Sequence, residues 1–325
     1  MKHLLRRLAP FLHLTRVTSA IGAVGAAWFV VLWTRSVPAE RAFAAQTLTN
    51  SSLALELIGS GVCAVGLYAF ATALNDVLDR RRDAALHPRR PLPSGRVSLA
   101  TALILLALTL GVALAGALAL GPSALAMTLG TAAAIGAYNA GARFVPSAGL
   151  VLYSLIYGAM MMTPNVHLVF VWPVVLVMAH ALAVGAIAHR VGERRPVLSF
   201  PAKAAAVAGW MFWSGVLVTV GTFRGGLLPA WVSPTIFIAP GVLALAFLFC
   251  AEYLAKRPAP AETRAAGVHR LGALWLPLYG AAWMLGHDLP LPAAALAGVT
   301  AVGLIGMTVL RDVFDLIEHP VGYLR

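Results

Sequence analysis

Carboxylates are scarce in this chain. Only 12 of its 325 residues are Asp or Glu, yet three stand close together in the stretch Asn75-Asp76-Val77-Leu78-Asp79-Arg80-Arg81-Arg82-Asp83. No other acidic residue follows before Glu193. If the stretch is helical, Asp76, Asp79 and Asp83 fall at i, i+3 and i+7, and at roughly 100° per residue they share one narrow face. Three carboxylates on one stripe repel each other unless a cation sits among them. Hard divalent ions such as Mg²⁺ take oxygen ligands, commonly one or two carboxylates together with phosphate oxygens of a substrate. The competing reading is a solvated segment in which three Asp balance Arg80, Arg81 and Arg82. Two features oppose it. Carboxylates at the C-terminal end of a helix face the negative end of its dipole, and the spacing separates the Asp face from the three Arg. Tyr68 and Thr72 continue nearly the same face upstream, which is the polar descent a substrate cavity needs.

The segment that follows, His87-Pro88-Arg89-Arg90-Pro91-Leu92-Pro93-Ser94-Gly95-Arg96, is rich in helix breakers. It is expected to form an ordered turn or short lid beside the Asp stripe. Two further polar clusters lie at the ends of apolar runs. Tyr138-Asn139-Ala140-Gly141-Ala142-Arg143 pairs a phenol with a cation, or is an interfacial Tyr followed by a topology-setting Arg. His189-Arg190-Val191-Gly192-Glu193-Arg194-Arg195 carries His189 and Glu193 at i, i+4, a spacing that lets both share a helical face; read blandly, it is an ordinary polar loop.

These groups must be positioned by a membrane-embedded scaffold. The chain is 60% hydrophobic and 11% charged, far from soluble composition, and apolar runs of bilayer-spanning length recur. The expected fold is all-α, a polytopic transmembrane helical bundle of nine to ten spans within one domain over 1–325. Ten candidate spans cover roughly 12–34, 52–74, 98–120, 122–142, 147–165, 168–189, 202–224, 230–254, 268–286 and 290–311. Pro234 and Pro240 predict a late or kinked start to the eighth. Continuous rather than alternating runs exclude a transmembrane barrel. The net charge of +12 is not a nucleic-acid signal, because Lys and Arg collect in alternate loops and the intervening loops near 121, 166, 226 and 288 are nearly free of them. That positive-inside pattern puts the Asp stripe and both termini on the cytoplasmic side, in the inner membrane if the source is bacterial. Ala42-Phe43-Ala44 lies well beyond the first apolar run, so that run reads as a retained anchor rather than a cleaved signal. Cys63 and Cys250, each inside an apolar run, read as packing residues. The two polar loops after the second and sixth spans open to the same side and suggest two related halves facing one cavity.

Taken together, Asn75-Asp76-x-x-Asp79-x-x-x-Asp83 and Arg90-Pro91-Leu92-Pro93-Ser94-Gly95 resemble the first signature of the UbiA superfamily of intramembrane prenyltransferases. The likeness runs over about residues 10–225 and leaves the spans of 226–325 unaligned. It implies transfer of a prenyl group from an allylic (prenyl) diphosphate to an aromatic or other small, lipid-like acceptor, with Mg²⁺ as cofactor. By resemblance, Asp76, Asp79 and Asp83 hold the metal and, with Asn75, form the catalytic mouth; Arg90 neutralises phosphate. Tyr138 and Arg143 match a second family element, a Tyr followed by a basic residue, on the diphosphate side. At the place of the family's second Asp-rich motif stand His189 and Glu193. By resemblance these two are the candidates for a further metal contact; since imidazole is a poor Mg²⁺ ligand, Arg190, Arg194 and Arg195 are candidates to meet phosphate directly in place of a second ion. This altered motif, and a tenth span where nine is usual, also support an alternative: a non-catalytic relative that binds or moves a prenylated or aromatic small molecule.

Overall fold

The structure, a computed structural model, describes residues 9–12, 14–44 and 50–318. The basic start of the chain, residues 45–49 of the first connection and the tail after 318 lie outside the described residues. Every regular element among those described is helical: α1 (Ile21–Ser36), α2 (Pro38–Phe43), α3 (Leu53–Leu78), α4 (Arg80–Leu86), α5 (Leu99–Leu118), α6 (Pro122–Ala140), α7 (Pro146–Met162), α8 (Trp172–Val191), α9 (Phe200–Gly225), α10 (Ile238–Ala255), α11 (Ala261–Leu285) and α12 (Pro290–Glu318). The long ones fall where the ten apolar runs lie. Among the described residues six segments are long and apolar enough to cross a bilayer, and α1 and α7 are shorter apolar helices. The outward faces of α5, α9, α10 and α12 present Leu108, Phe223, Phe249 and Ile305. Such faces are stable against lipid, where helices satisfy their own backbone groups. The protein is a polytopic transmembrane helical bundle.

Small residues set the helix spacing. A Cβ on Gly66 of α3 would lie 2.5 Å from the backbone N of Ala113 on α5, and one on Gly116 of α5 would lie 2.5 Å from that of Cys63. The α1–α11 crossing is equally close, with Gly22 against Ala273 and Gly25 against Pro277. Between apolar helices in lipid such close van der Waals contact drives association. The helices after residue 225 are thus part of the main packing: Phe29 and Trp33 of α1 share a buried cluster with Phe170, Leu276, Tyr279 and Leu296.

The first span departs from its expected course. Instead of one helix over 12–34, the backbone turns left-handed at Arg16 (φ 44°), passes through a 3-10 turn over Val17–Ala20, and only then enters α1. The turn swings the Arg16 guanidinium onto Asp76, 3.2 Å away, where a straight helix would have left a charge in the apolar run. The eighth span does start late, at Ile238, after a 3-10 turn over Pro234–Phe237.

A buried polar clamp fixes the connection before α8. Glu40 on α2 is fully buried and accepts hydrogen bonds from Trp33 Nε1 (3.1 Å), Val169 N (2.8 Å) and Phe170 N (2.6 Å). Arg224 Nη1, from α9, donates to the carbonyls of Val166 and Leu168, each at 3.0 Å. Backbone groups that leave regular structure inside a bundle need such partners.

Candidate active site

The Asp stripe crosses a helix junction. α3 ends at Leu78, Asp79 is the hinge residue, and α4 carries Asp83. The hydrogen bonds Asp79 N to Asn75 O (2.9 Å) and Asp83 N to Asp79 O (2.8 Å) keep the helical turn nearly continuous. The three carboxylates are not solvated: Asp76 is 5% exposed, Asp83 4% and the Asp79 side chain 12%. Arg81 and Arg82 remain exposed, so the adjacent Arg run does not supply their partners.

Each carboxylate is instead met by an Arg from a different part of the chain. Arg16 bonds Asp76. Arg143 grips Asp79 with both terminal nitrogens and also donates to Asn75 Oδ1, the two-pronged geometry that suits guanidinium to carboxylate or phosphate. Arg90 donates to Asp83 Oδ2 at 2.8 Å. Local structure aims each one. Gly95, at φ 74°, closes a turn in which Val97 N bonds Pro91 O, while Leu92 and Val97 pack with Leu14 and Ala102. That anchors the 87–97 segment and points Arg90 inward. Gly149 lets the first turn of α7 lie against the Ala142–Phe144 turn, since a Cβ there would sit 3.0 Å from Arg143 Cα.

Behind Tyr138 lies a small cavity, with room for about one water, walled by Tyr153, Tyr157, His180, His269 and Leu276. Tyr138 reaches it through its ring contact with Tyr153, centroids 5.9 Å apart; Tyr153 in turn meets Tyr157 at 5.0 Å and His269 at 6.5 Å. Tyr68 packs against the same buried cluster as Tyr138. His180 is structural in character: its ring bonds Tyr279 Oη and Gly272 O, both at 3.1 Å, tying α8 to α11. A second, apolar cavity shares Leu276 and is lined by Phe29, Met161 and Trp283. The aromatic rings of Tyr138, Tyr153 and Tyr157 thus run on to Leu276, which borders both small cavities.

The second polar loop does not form the face expected of it. α8 ends at Val191, so Glu193 lies past the helix, at φ 50°. It points outward beside Arg264 at 3.6 Å, with its side chain 75% exposed. His189 Nε2 is 2.8 Å from Pro196 O, and Arg190 is paired with Glu252 of α10. His189, Glu193 and Arg190 therefore stand apart from the Asp mouth. Arg194 is exposed.

Among the described residues no three His, Cys, Asp or Glu side chains form a ready-made metal cage. The donor chemistry nonetheless fits Mg²⁺. This ion binds through one or two carboxylates and completes its shell with substrate oxygens and water, and the mouth offers hard carboxylate oxygens whose counter-charges are guanidinium groups.

A family model described as the UbiA prenyltransferase family matches residues 27–272. The chain belongs to the UbiA prenyltransferase family. The match extends past residue 225 into α11, further than the motifs in the sequence reach. Solved structures share the UbiA fold. A UbiA homolog from Aeropyrum pernix K1, without ligand, aligns at TM-score 0.54 and 19% identity over 86% of this chain and 97% of that one. A structure described in connection with digeranylgeranylglyceryl phosphate synthase in membranes aligns at 0.54 and 19% over 87% and 99%. A UbiA homolog from Archaeoglobus fulgidus bound to GPP and Mg²⁺ aligns at 0.51 and 15% over 85% and 99%. At these identities the likeness is one of fold. No curated protein matches the sequence.

Sequence reading missed Arg16, Tyr153, Tyr157 and His269. Their signals were weak but present: a charge within an apolar run, two Tyr one helical turn apart in the fifth span, and a lone imidazole at the start of the ninth.

Proposed function

We propose that this UbiA family member is an intramembrane prenyltransferase that moves a prenyl group from an allylic diphosphate to an aromatic acceptor, with Mg²⁺ bound at Asp76, Asp79 and Asp83. The observation that carries the reading is three shielded carboxylates, each held by an Arg from another segment, at the mouth of an aromatic chamber. The bound GPP and Mg²⁺ of the Archaeoglobus relative support it.

An incoming diphosphate competes with the carboxylates for Arg16, Arg90 and Arg143. Carboxylate oxygens released from those pairs become available to a cation. Mg²⁺, when bound, supplies Lewis-acid charge that stabilises the departing diphosphate. Arg143, fixed by Asn75, and Arg90 place N–H donors where negative charge grows as the allylic C–O bond breaks. The faces of Tyr138, Tyr153 and Tyr157 offer π-electron density to the cationic carbon and exclude water from it. In this orientation the mouth faces the cytoplasm, on the side where the basic loops lie.

The direct test is transfer of labelled geranyl diphosphate by purified protein, with and without Mg²⁺, and with Asp76→Asn. Mg²⁺-dependent release of diphosphate that collapses in the variant is expected; equal turnover by the two proteins would remove the metal role. A second reading has one observation behind it. With Glu193 turned outward and Arg190 engaged elsewhere, the chain could hold a prenylated molecule without reacting it. Tight binding with no diphosphate release would select that reading.

A further inference from the structure

Two imidazoles wall the small cavity behind Tyr138, and they differ in what they bond. His180 has both ring nitrogens engaged, one with Tyr279 Oη and one with Gly272 O, each at 3.1 Å. The His269 ring makes no hydrogen bond and no ion pair among the described residues. It meets the Tyr153 ring near edge-on, at 75° and 6.5 Å between centroids. Its position on α11 is an inward one. His269 falls between Ala265 and Gly272, on the side that packs against α8: a Cβ on Gly272 would lie 2.6 Å from Val184, and one on Gly192, just past α8, would lie 3.4 Å from Ala265 Cβ. An ionisable side chain inside a membrane bundle marks a functional position by default.

The cavity limits the kind of group that His269 can meet. With room for about one water, it admits a single oxygen and no ring. Beside His269 its walls carry Tyr153 and Tyr157, whose hydroxyls approach each other only to 3.4 Å. An oxygen placed there has the two to four polar partners that a buried one needs. Ala181, Val184, Ala273 and Leu276 close the remainder, so a carboxylate would be desolvated with no counter-charge. An unionised hydroxyl suits the walls: its O–H donates to an imidazole nitrogen, and its oxygen accepts from a phenol.

We infer that His269 recognises the acceptor, taking a hydrogen bond from a hydroxyl on the aromatic acceptor while the acceptor ring stays outside the cavity on the Tyr138 side. This rests on the prenyltransferase reading above and narrows its acceptor to the phenol class. A hydrogen bond drawn from the hydroxyl raises electron density on the ring and fixes which ring carbon faces the allylic carbon.

The test uses the purified full chain in lipid nanodiscs with Mg²⁺ and a geranyl thiolodiphosphate, whose C–S bond resists ionisation. The probes are 1-naphthol and 1-methoxynaphthalene, which share a ring and differ in the hydroxyl. With the analogue bound, the wild type should hold 1-naphthol about 10- to 100-fold more tightly than the ether, which leaves the polar wall unpaired. His269→Phe should bring the two probes within about twofold while binding the analogue as the wild type does. His167→Gln, at an exposed position in the connection before α8, should keep the preference. A second readout needs no Phe variant: in wild-type protein labelled with ¹⁵N-histidine, 1-naphthol and not the ether should shift the His269 ring nitrogens, assigned by their loss in His269→Gln. No preference for 1-naphthol in the wild type, a preference that survives His269→Phe, or unmoved His269 signals overturns the inference and leaves the prenyltransferase reading standing. A wild-type protein that binds no analogue overturns both.

Discussion

Glu40→Gln is the most direct probe of how this bundle fixes the backbone around its cavities. In the wild type one carboxylate serves three N–H donors: Oε1 takes Trp33 Nε1 and Phe170 N, and Oε2 takes Val169 N. Gln has the same shape but one acceptor oxygen. If that oxygen keeps the two Oε1 bonds, its NH₂ faces the Val169 N–H, so one buried donor loses its partner and meets another donor. A buried donor left unsatisfied costs about 1–3 kcal/mol. If the cost falls on local opening of the 163–171 connection, amide exchange there speeds up about 5- to 150-fold, since 1.4 kcal/mol is roughly a factor of ten. Hydrogen–deuterium exchange with peptide mass spectrometry reads this directly, with α5 peptides as an internal reference. The wild-type connection also has a signed pH dependence. Burial raises the Glu40 carboxyl above its usual range, and the two backbone N–H groups, Trp33 and Arg224 draw it only partly back. A group raised in the folded state contributes stability that is complete below its unfolded value, about 4.3, and that fades as pH rises through the folded value. Protection of 163–171, corrected for intrinsic exchange, should therefore be greater at pH 5 than at pH 7, and Glu40→Gln should abolish the difference. Equal exchange of this segment in wild type and variant would refute the clamp.

Two perturbations test the mouth and the helix spacing. Arg143→Gln strands the Asp79 carboxylate, which is 12% exposed against 13% for Arg143; the loss should be roughly 2–4 kcal/mol in the metal-free protein, somewhat below the range for breaking a fully buried pair. Thermal unfolding in detergent should show it, and Mg²⁺ should restore more stability to the variant than it adds to the wild type; an unchanged melting point and Mg²⁺ response would contradict the pairing. Gly66→Ala drives a Cβ to 2.5 Å from Ala113 N, whereas Gly111→Ala, on α5, meets nothing within 4 Å. The first should cost about 1–3 kcal/mol and the second should be neutral or slightly stabilising in the same melting assay, so equal effects would show that the close crossing does not limit stability.

Much of this protein is legible in its linear chain. Runs of bilayer length fix where the spans lie, because every backbone polar group in lipid must be satisfied within a helix. The Asp76, Asp79 and Asp83 spacing, with the Arg90 turn, picked out side chains that the structure brings close together, because a motif carried on about two nearly continuous helical turns is local and its face follows from the helical period. What lay beyond a few turns was not legible. The pairing of Arg16 with Asp76 and of Arg143 with Asp79 joins positions 60 and 64 residues apart, and periodicity within one segment holds no information about which segment packs beside it. The His189 and Glu193 spacing suggested a shared face, but the helix ends between them at Val191, and spacing implies a face only while the helix continues. The aromatic chamber was decided by packing alone. Tyr138, Tyr153 and His269 come from three helices, α6, α7 and α11, and which helix faces which is a property of helix surfaces in three dimensions, as the close approach of α1 to α11 at Gly22 and Gly25 illustrates.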